Sequence, residues 1–170
     1  GAERGDPAAQ YELGRRLLAG EGVAQDDTLA VRWLVRAAEL GLARAQFVCG
    51  WLHHTGRALA QDDARAAAWF TRAAEQEYAP AETQLALLHL HGDGVPHDDA
   101  RAVFWLQRAA ERGFPIAEHD LGLAYLRGRG VARDEARAAE WFARAAEHGV
   151  ADARVKLERL RERELAAATR

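Results

Sequence analysis

Residues 138–149 read AAEWFARAAEHG, and thirty-six positions earlier, at 102–113, the chain reads AVFWLQRAAERG. The same frame returns at 66–77 as AAAWFTRAAEQE and at 30–41 as AVRWLVRAAELG. Trp33, Trp69, Trp105 and Trp141 thus form a ladder with one spacing, and Gly20, Gly56, Gly92 and Gly128 keep the same register. Self-similarity at a fixed period of this length marks a repeat architecture, each unit being one supersecondary element.

Inside each frame the apolar positions fall at helical spacing. Ala30, Trp33, Leu34, Ala37 and Ala38 lie at i, i+3, i+4, i+7 and i+8, which is one stripe of an amphipathic helix. Asp26 or Asp27 supplies the N-cap acceptor, and Gly41 stands where a left-handed residue ends a helix. A first helix precedes this one. It opens at Asp6-Pro7, a cap followed by proline, and carries Ala9, Leu13, Gly14 and Leu17 inward. Gly20-Glu21-Gly22-Val23 then turns the chain. One pair cannot bury both stripes, so neighbouring pairs must stack around a shared, elongated core. Gly14, Gly50, Ala86 and Gly122 are small where paired helices approach, and the Trp ladder is expected to pack between helices. The expected fold is an all-α solenoid of four helix–turn–helix repeats, over about 6–41, 42–77, 78–113 and 114–149. A charge-rich capping helix follows over about 150–166, and residues 1–5 look like the end of a preceding repeat.

The full pattern at Ala117, Leu121, Gly122, Tyr125, Gly128, Gly130 and Val131, continued by Ala138, Trp141, Ala145, Ala146 and Gly149, resembles the Sel1-like repeat, a relative of the tetratricopeptide repeat. The resemblance spans essentially the whole chain. It implies a right-handed superhelix with the first helices lining the concave side, and a role as a non-catalytic adaptor or scaffold that binds a protein or peptide. Glu77 departs from the pattern, standing where other repeats have Gly41, Gly113 and Gly149. His53 and His89 replace the tyrosine-like residue and Cys49 replaces a leucine, so the second repeat is expected to pack most loosely.

The chain has 170 residues, 49% hydrophobic and 29% charged, with a net charge of −3. That balance suits a folded domain and offers no basic footprint for nucleic acid. No apolar run is long enough for membrane insertion. With one cysteine, neither an intrachain disulfide nor a cysteine-rich zinc site can form. Met is absent and the chain starts at Gly1, which suggests a longer natural protein; the N-terminal end left open in this chain is expected to self-associate. The Ala- and Arg-rich, Lys-poor composition points to a GC-rich bacterium; envelope, periplasm and cytoplasm all remain open as compartments.

No catalytic constellation emerges, and neither a cofactor nor a metal is expected. Ser is absent, and Cys49 falls on an inward leucine position as an inert thiol. Equivalent histidines of adjacent repeats stand about 10 Å apart, too far to share an ion. The acidic pairs Asp26-Asp27, Asp62-Asp63 and Asp98-Asp99 are explained as helix caps. What varies is the side of the first helices that would line the concave face. One row there is Tyr11, Phe47, Thr83 and His119, and the next is Arg15, Trp51, Leu87 and Leu123. Phe47 and Trp51, one turn apart, have the composition of a binding hot spot. Arg15, Arg44, His54 and Arg127 complete the candidate surface, the arginines to meet acidic groups. Packing of Trp51 against neighbouring first helices is the competing reading. End-to-end assembly is the alternative to groove binding, and a cell-wall hydrolase the third class.

Overall fold

The computed structural model describes residues 2–169. A 3-10 turn at Ala2–Arg4 leads into α1 (Pro7–Ala19), α2 (Asp27–Glu39), α3 (Ala43–Thr55) and α4 (Asp63–Glu75). There follow α5 (Ala79–His91), α6 (Asp99–Glu111), α7 (Pro115–Arg127), α8 (Glu135–Glu147) and α9 (Ala151–Ala168). No strand occurs among the described residues, and none of their helices is long and apolar enough to cross a membrane. α1, α3, α5 and α7 each pack on the helix that follows, and α3, α5, α7 and α9, less extensively, on the helix before. The layers therefore succeed one another in chain order.

The second helix of every pair starts the same way. Asp26, Asp62, Asp98 and Asp134 accept a hydrogen bond at 2.9 Å from the backbone N–H of Leu29, Arg65, Arg101 and Arg137. Each such cap contributes roughly 1 kcal/mol. Of the two acidic residues offered by the sequence, the first is the cap and the second is the first helical residue. The end of residues 2–5 also repeats a later feature. Gln10 Nε2 donates to the Ala2 carbonyl at 3.0 Å, as Gln46 Nε2 donates to the Ala38 carbonyl at 3.1 Å.

The core is built mostly from alanine, backed by one large residue per layer. Ala30, Ala66, Ala102 and Ala138 are fully buried, as are Ala37, Ala73, Ala109 and Ala145. Leu34, Phe70, Leu106 and Phe142 supply the bulk. On α1, Gly14 and Leu17 are buried as expected, whereas Ala9 and Leu13 are only half-buried, because among the described residues only the 3-10 turn precedes α1. Their equivalents Ala45 and Cys49 are fully enclosed. Each ladder tryptophan is half-buried with an arginine stacked on it from one turn later. Those guanidinium-to-ring distances are 5.9 Å for Arg36 on Trp33, 4.7 Å for Arg72 on Trp69, 5.2 Å for Arg108 on Trp105 and 4.9 Å for Arg144 on Trp141. Trp69, Trp105 and Trp141 also pack against the apolar cluster of the layer before. Trp33 packs on the cluster of its own layer, so the four rings share the arginine stacking and three of them share the packing between layers.

Among the described residues two non-glycines adopt left-handed backbone, and both stand where the other repeats have glycine. Glu77 has φ 61°, and Gly41, Gly113 and Gly149 hold φ between 76° and 92° at the same position. Its carboxylate meets Arg112 at 2.9 Å, but the pair is exposed and contributes little. Glu77→Gly is therefore expected to raise stability by about 1 kcal/mol. A melting temperature that stays the same or falls would refute this. The second residue, Ala58 at φ 61°, matches Gly22, Gly94 and Gly130. A Cβ on Gly94 would overlap the backbone of Asp63, and one on Gly130 would overlap Asp99. These turns rest directly on the layer before, whereas the turn carrying the Ala58 methyl cannot seat as deeply. In the same repeat the His53 Nδ1 is buried without a partner, while the equivalent His89 Nδ1 lies 3.3 Å from the Pro96 carbonyl. At its centre the second repeat nonetheless packs as tightly as the fourth, since a Cβ on Gly50 or Gly122 would come within 2.7 Å of the facing phenylalanine.

Candidate partner-binding face

The outer rows of the first helices divide into residues that the fold uses and residues it leaves free. Tyr11 is half-buried under the Arg44 guanidinium, 5.7 Å from its ring, so α1 and α3 touch through these two side chains. Phe47 leans away from Trp51. It sits 5.7 Å from Phe70 and 5.6 Å from Tyr78, the latter edge-on. Thr83 is only 2% exposed and its hydroxyl donates to the Ala79 carbonyl at 3.0 Å. It drops out of the expected surface, because a short side chain here is covered by the adjoining helices. His119 rests 5.8 Å from Phe142 and 2.9 Å from both Asp120 and Asp152.

In the second row, Arg15 is held by Glu12 at 3.0 Å and Glu21 at 2.8 Å. His54 Nδ1 lies 2.7 Å from Asp63 Oδ1. Trp51 is 38% exposed, a large amount for an indole. Leu87 and Leu123 face each other across a cavity of about 190 Å³ whose rim includes Arg127. The expected Phe47–Trp51 pair is thus split, with Phe47 in the packing and Trp51 on the surface.

His119 joins α7 to α9. The hydrogen bond to Asp120 is the main reason its pKa rises above the ordinary 6.5, with Asp152 adding to it against burial. Asp152 is correspondingly lowered, chiefly by His119. A raised histidine value stabilises the fold below the unfolded pKa and loses that effect as pH rises through the folded one. A depressed aspartate stabilises above its unfolded value and loses the effect on acidification. The pair is therefore most stabilising between the carboxylate and imidazole ranges. His119→Gln should lower the melting temperature more at about pH 5.5 than at about pH 8.5. A difference that does not change with pH would contradict the ion pair.

A buried polar ladder was not anticipated from the sequence. Gln46, Glu82 and Glu118 are 5%, 0% and 1% exposed on the inward side of α3, α5 and α7. Each meets the residue thirty positions on, at the end of the following helix. Gln76 Nε2 donates to Gln46 Oε1 at 2.7 Å, Arg112 donates to both Glu82 oxygens at 3.1 and 3.2 Å, and His148 Nδ1 lies 2.7 Å from Glu118. In the first layer the corresponding pair is Gln10 and Leu40. Leu40 is 53% exposed and has no polar group, and Gln10 Oε1 is buried without a partner. Leu40→Gln should supply the donor and raise stability by about 1 kcal/mol. An unchanged denaturation midpoint would show that Gln10 is satisfied otherwise.

Cys49, Asp98 and Asp99 are taken up by the fold. Burial pushes the Cys49 thiol up to about 12, so no thiolate forms near neutrality. Asp98 caps α6, while Asp99 meets Arg129 at 2.7 Å and His97 at 3.2 Å. Arg129 also donates to the Leu90 carbonyl, as Arg57 does to Leu18, so turn arginines cap the first helix of the preceding layer.

The family model described as Sel1 repeat matches residues 7–42, 43–78, 79–114 and 115–150. Among solved structures the chain is similar to c5321, a protective antigen of uropathogenic Escherichia coli strains displaying an SLR fold, at 38% identity and TM-score 0.88. That match covers 89% of this chain and 32% of the antigen. It is also similar to a Sel1 repeat protein from Oxalobacter formigenes, at 36% identity and TM-score 0.85, covering 91% of this chain and 63% of the other. Helicobacter pylori cysteine rich protein B shares the fold at 21% identity and TM-score 0.59, over 76% of this chain and 92% of its own. The chain therefore spans about a third of the first of these proteins and less than two thirds of the second. No curated protein matches it.

Proposed function

The chain belongs to the Sel1-repeat family of right-handed α/α solenoids, and from that premise we propose that it is a non-catalytic scaffold holding a partner segment against its first helices. Solenoids of this family typically serve as protein-interaction scaffolds. The observation that carries the finer reading is the distribution of variation among the repeats. Core positions recur at every layer, while the outer rows change from Arg15 to Trp51 to Leu87 to Leu123. Trp51 stays exposed on that face, where an indole can bury area against a partner.

Photo-crosslinking in the full-length protein tests this directly. A crosslinker placed at Trp51 should capture a partner that the same group at Arg65, exposed on α4, does not. Equal capture from both positions would remove the first-helix face from consideration. Trp51→Ala should weaken the captured interaction; Phe47 is unsuitable for this purpose because it packs on Phe70 and Tyr78. A second reading, end-to-end assembly, draws on a hollow of about 160 Å³ on α2, lined by Leu29, Arg32, Trp33 and Arg36. Sedimentation as a monomer at high concentration would end that reading.

A further inference from the structure

We infer that the cavity between α5 and α7 is an anchor site for one aliphatic side chain of a partner peptide that carries an Asp or Glu beside it. This rests on the reading of the first-helix face as the partner site and names what one part of that face accepts.

The walls are Leu87 and Leu90 of α5 and Leu123 of α7, and the floor is the buried Val103 of α6. The volume of about 190 Å³ lies below the roughly 300–1,000 Å³ of small-molecule pockets, which suits a single side chain. Its location follows from the sequence. The position that holds Leu87 holds Arg15 and Trp51 in the two earlier layers, and the smaller leucine leaves the space open.

The rim supplies the charge. Arg129 is committed to Asp99 at 2.7 Å and to the Leu90 carbonyl at 2.6 Å. Asp120, the one acid on the rim, is 2.9 Å from His119, which also meets Asp152. Arg127 is exposed and forms no ion pair among the described residues. In a chain of net charge −3 this leaves a free cation beside an apolar hollow. Arg127 follows Leu123 by one helical turn, about 5–6 Å along the face. An extended peptide advances about 3.3–3.6 Å per residue, so the carboxylate belongs one or two residues from the anchor.

The probe is N-acetyl-Leu-Asp-amide, titrated into the protein and followed by methyl and arginine side-chain NMR. Saturable shifts are expected at the Leu87, Leu90 and Leu123 methyls and at Arg127 Nε, with N-acetyl-Ala-Asp-amide at least about tenfold weaker. Leu87→Trp fills the hollow with a side chain the fold accepts one layer earlier, and should abolish the shifts while the spectrum stays dispersed. Arg127→Glu should reverse the preference toward N-acetyl-Leu-Lys-amide. Shifts that lie elsewhere, that are absent, or that ignore Arg127→Glu overturn the proposal. If the free protein already self-associates and Leu87→Trp dissolves the complex, the occupant is a second copy, and the proposal also falls. A partner crosslinked at Trp51 that still binds the Leu87→Trp protein equally well removes the anchor site alone and leaves the scaffold reading standing.

Discussion

Replacing Arg108 and Arg112 together with alanine is expected to cost the protein about 3 kcal/mol of stability. Glu82 is fully buried, with Arg108 Nε at 3.0 Å and Arg112 at 3.1 Å as its ionic partners. Burial raises the Glu82 pKa, and the two guanidinium groups pull it back. Without them a carboxylate must either stay charged in the core or take up a proton, and both alternatives are costly. Breaking a buried pair typically costs 3–5 kcal/mol, and the lower end applies because both arginines are about a third exposed to water. For a chain of this size the melting temperature should drop by roughly 6–12 °C. The same layer can be rebuilt without charge. Glu82→Gln with Arg112→Gln copies the Gln46–Gln76 pair of the layer before and should stay within about 1 kcal/mol of the parent. A double alanine variant that loses less than about 1 kcal/mol would show that Glu82 is solvated in solution.

Gly122→Ala is expected to destabilise by up to about 2 kcal/mol, although alanine is the better helix former. A Cβ at this position would lie 2.7 Å from the Phe142 ring, which is fully buried and has nowhere to move. Overpacking of that kind costs about 1–3 kcal/mol, and helix propensity returns about 1. The third layer shows how the strain can be relieved, since Ala86 stands there in place of the glycine and Leu106 in place of the phenylalanine. Phe142→Leu alone should lose apolar contacts. Combined with Gly122→Ala it should recover part of that loss, giving a favourable coupling of about 1 kcal/mol in a double-mutant cycle. Additive single effects would mean that α7 and α8 adjust independently of these two side chains.

The architecture was legible because it depends on features each repeat carries within itself. The tryptophan spacing, the aspartate caps and the small residues at Gly14, Gly50 and Gly122 all landed where the periodicity placed them. The candidate surface was legible only in outline. Arg127, Leu87 and Leu123 were singled out by position, yet a row of outward residues does not reveal that two of them flank a cavity. Nor does it reveal that Thr83 is covered, or that Phe47 turns toward Tyr78. The buried polar ladder left a trace that could have been followed. At an offset of thirty, Gln46 goes with Gln76, Glu82 with Arg112 and Glu118 with His148, each acceptor meeting a donor of matching kind.

Read alone, the chain determined the helices, their ends and the order of the layers, because hydrophobic period and capping chemistry act over a few residues and repeat four times. Only the stacked structure decided which polar groups are buried, which aromatic ring is spent on packing and where a hollow remains. Those outcomes depend on side-chain volume and charge supplied by a neighbouring layer. Gln10 shows the difference plainly: it occupies the same position as Gln46, yet half of its amide is stranded because its neighbour at the helix end is Leu40 and not a donor.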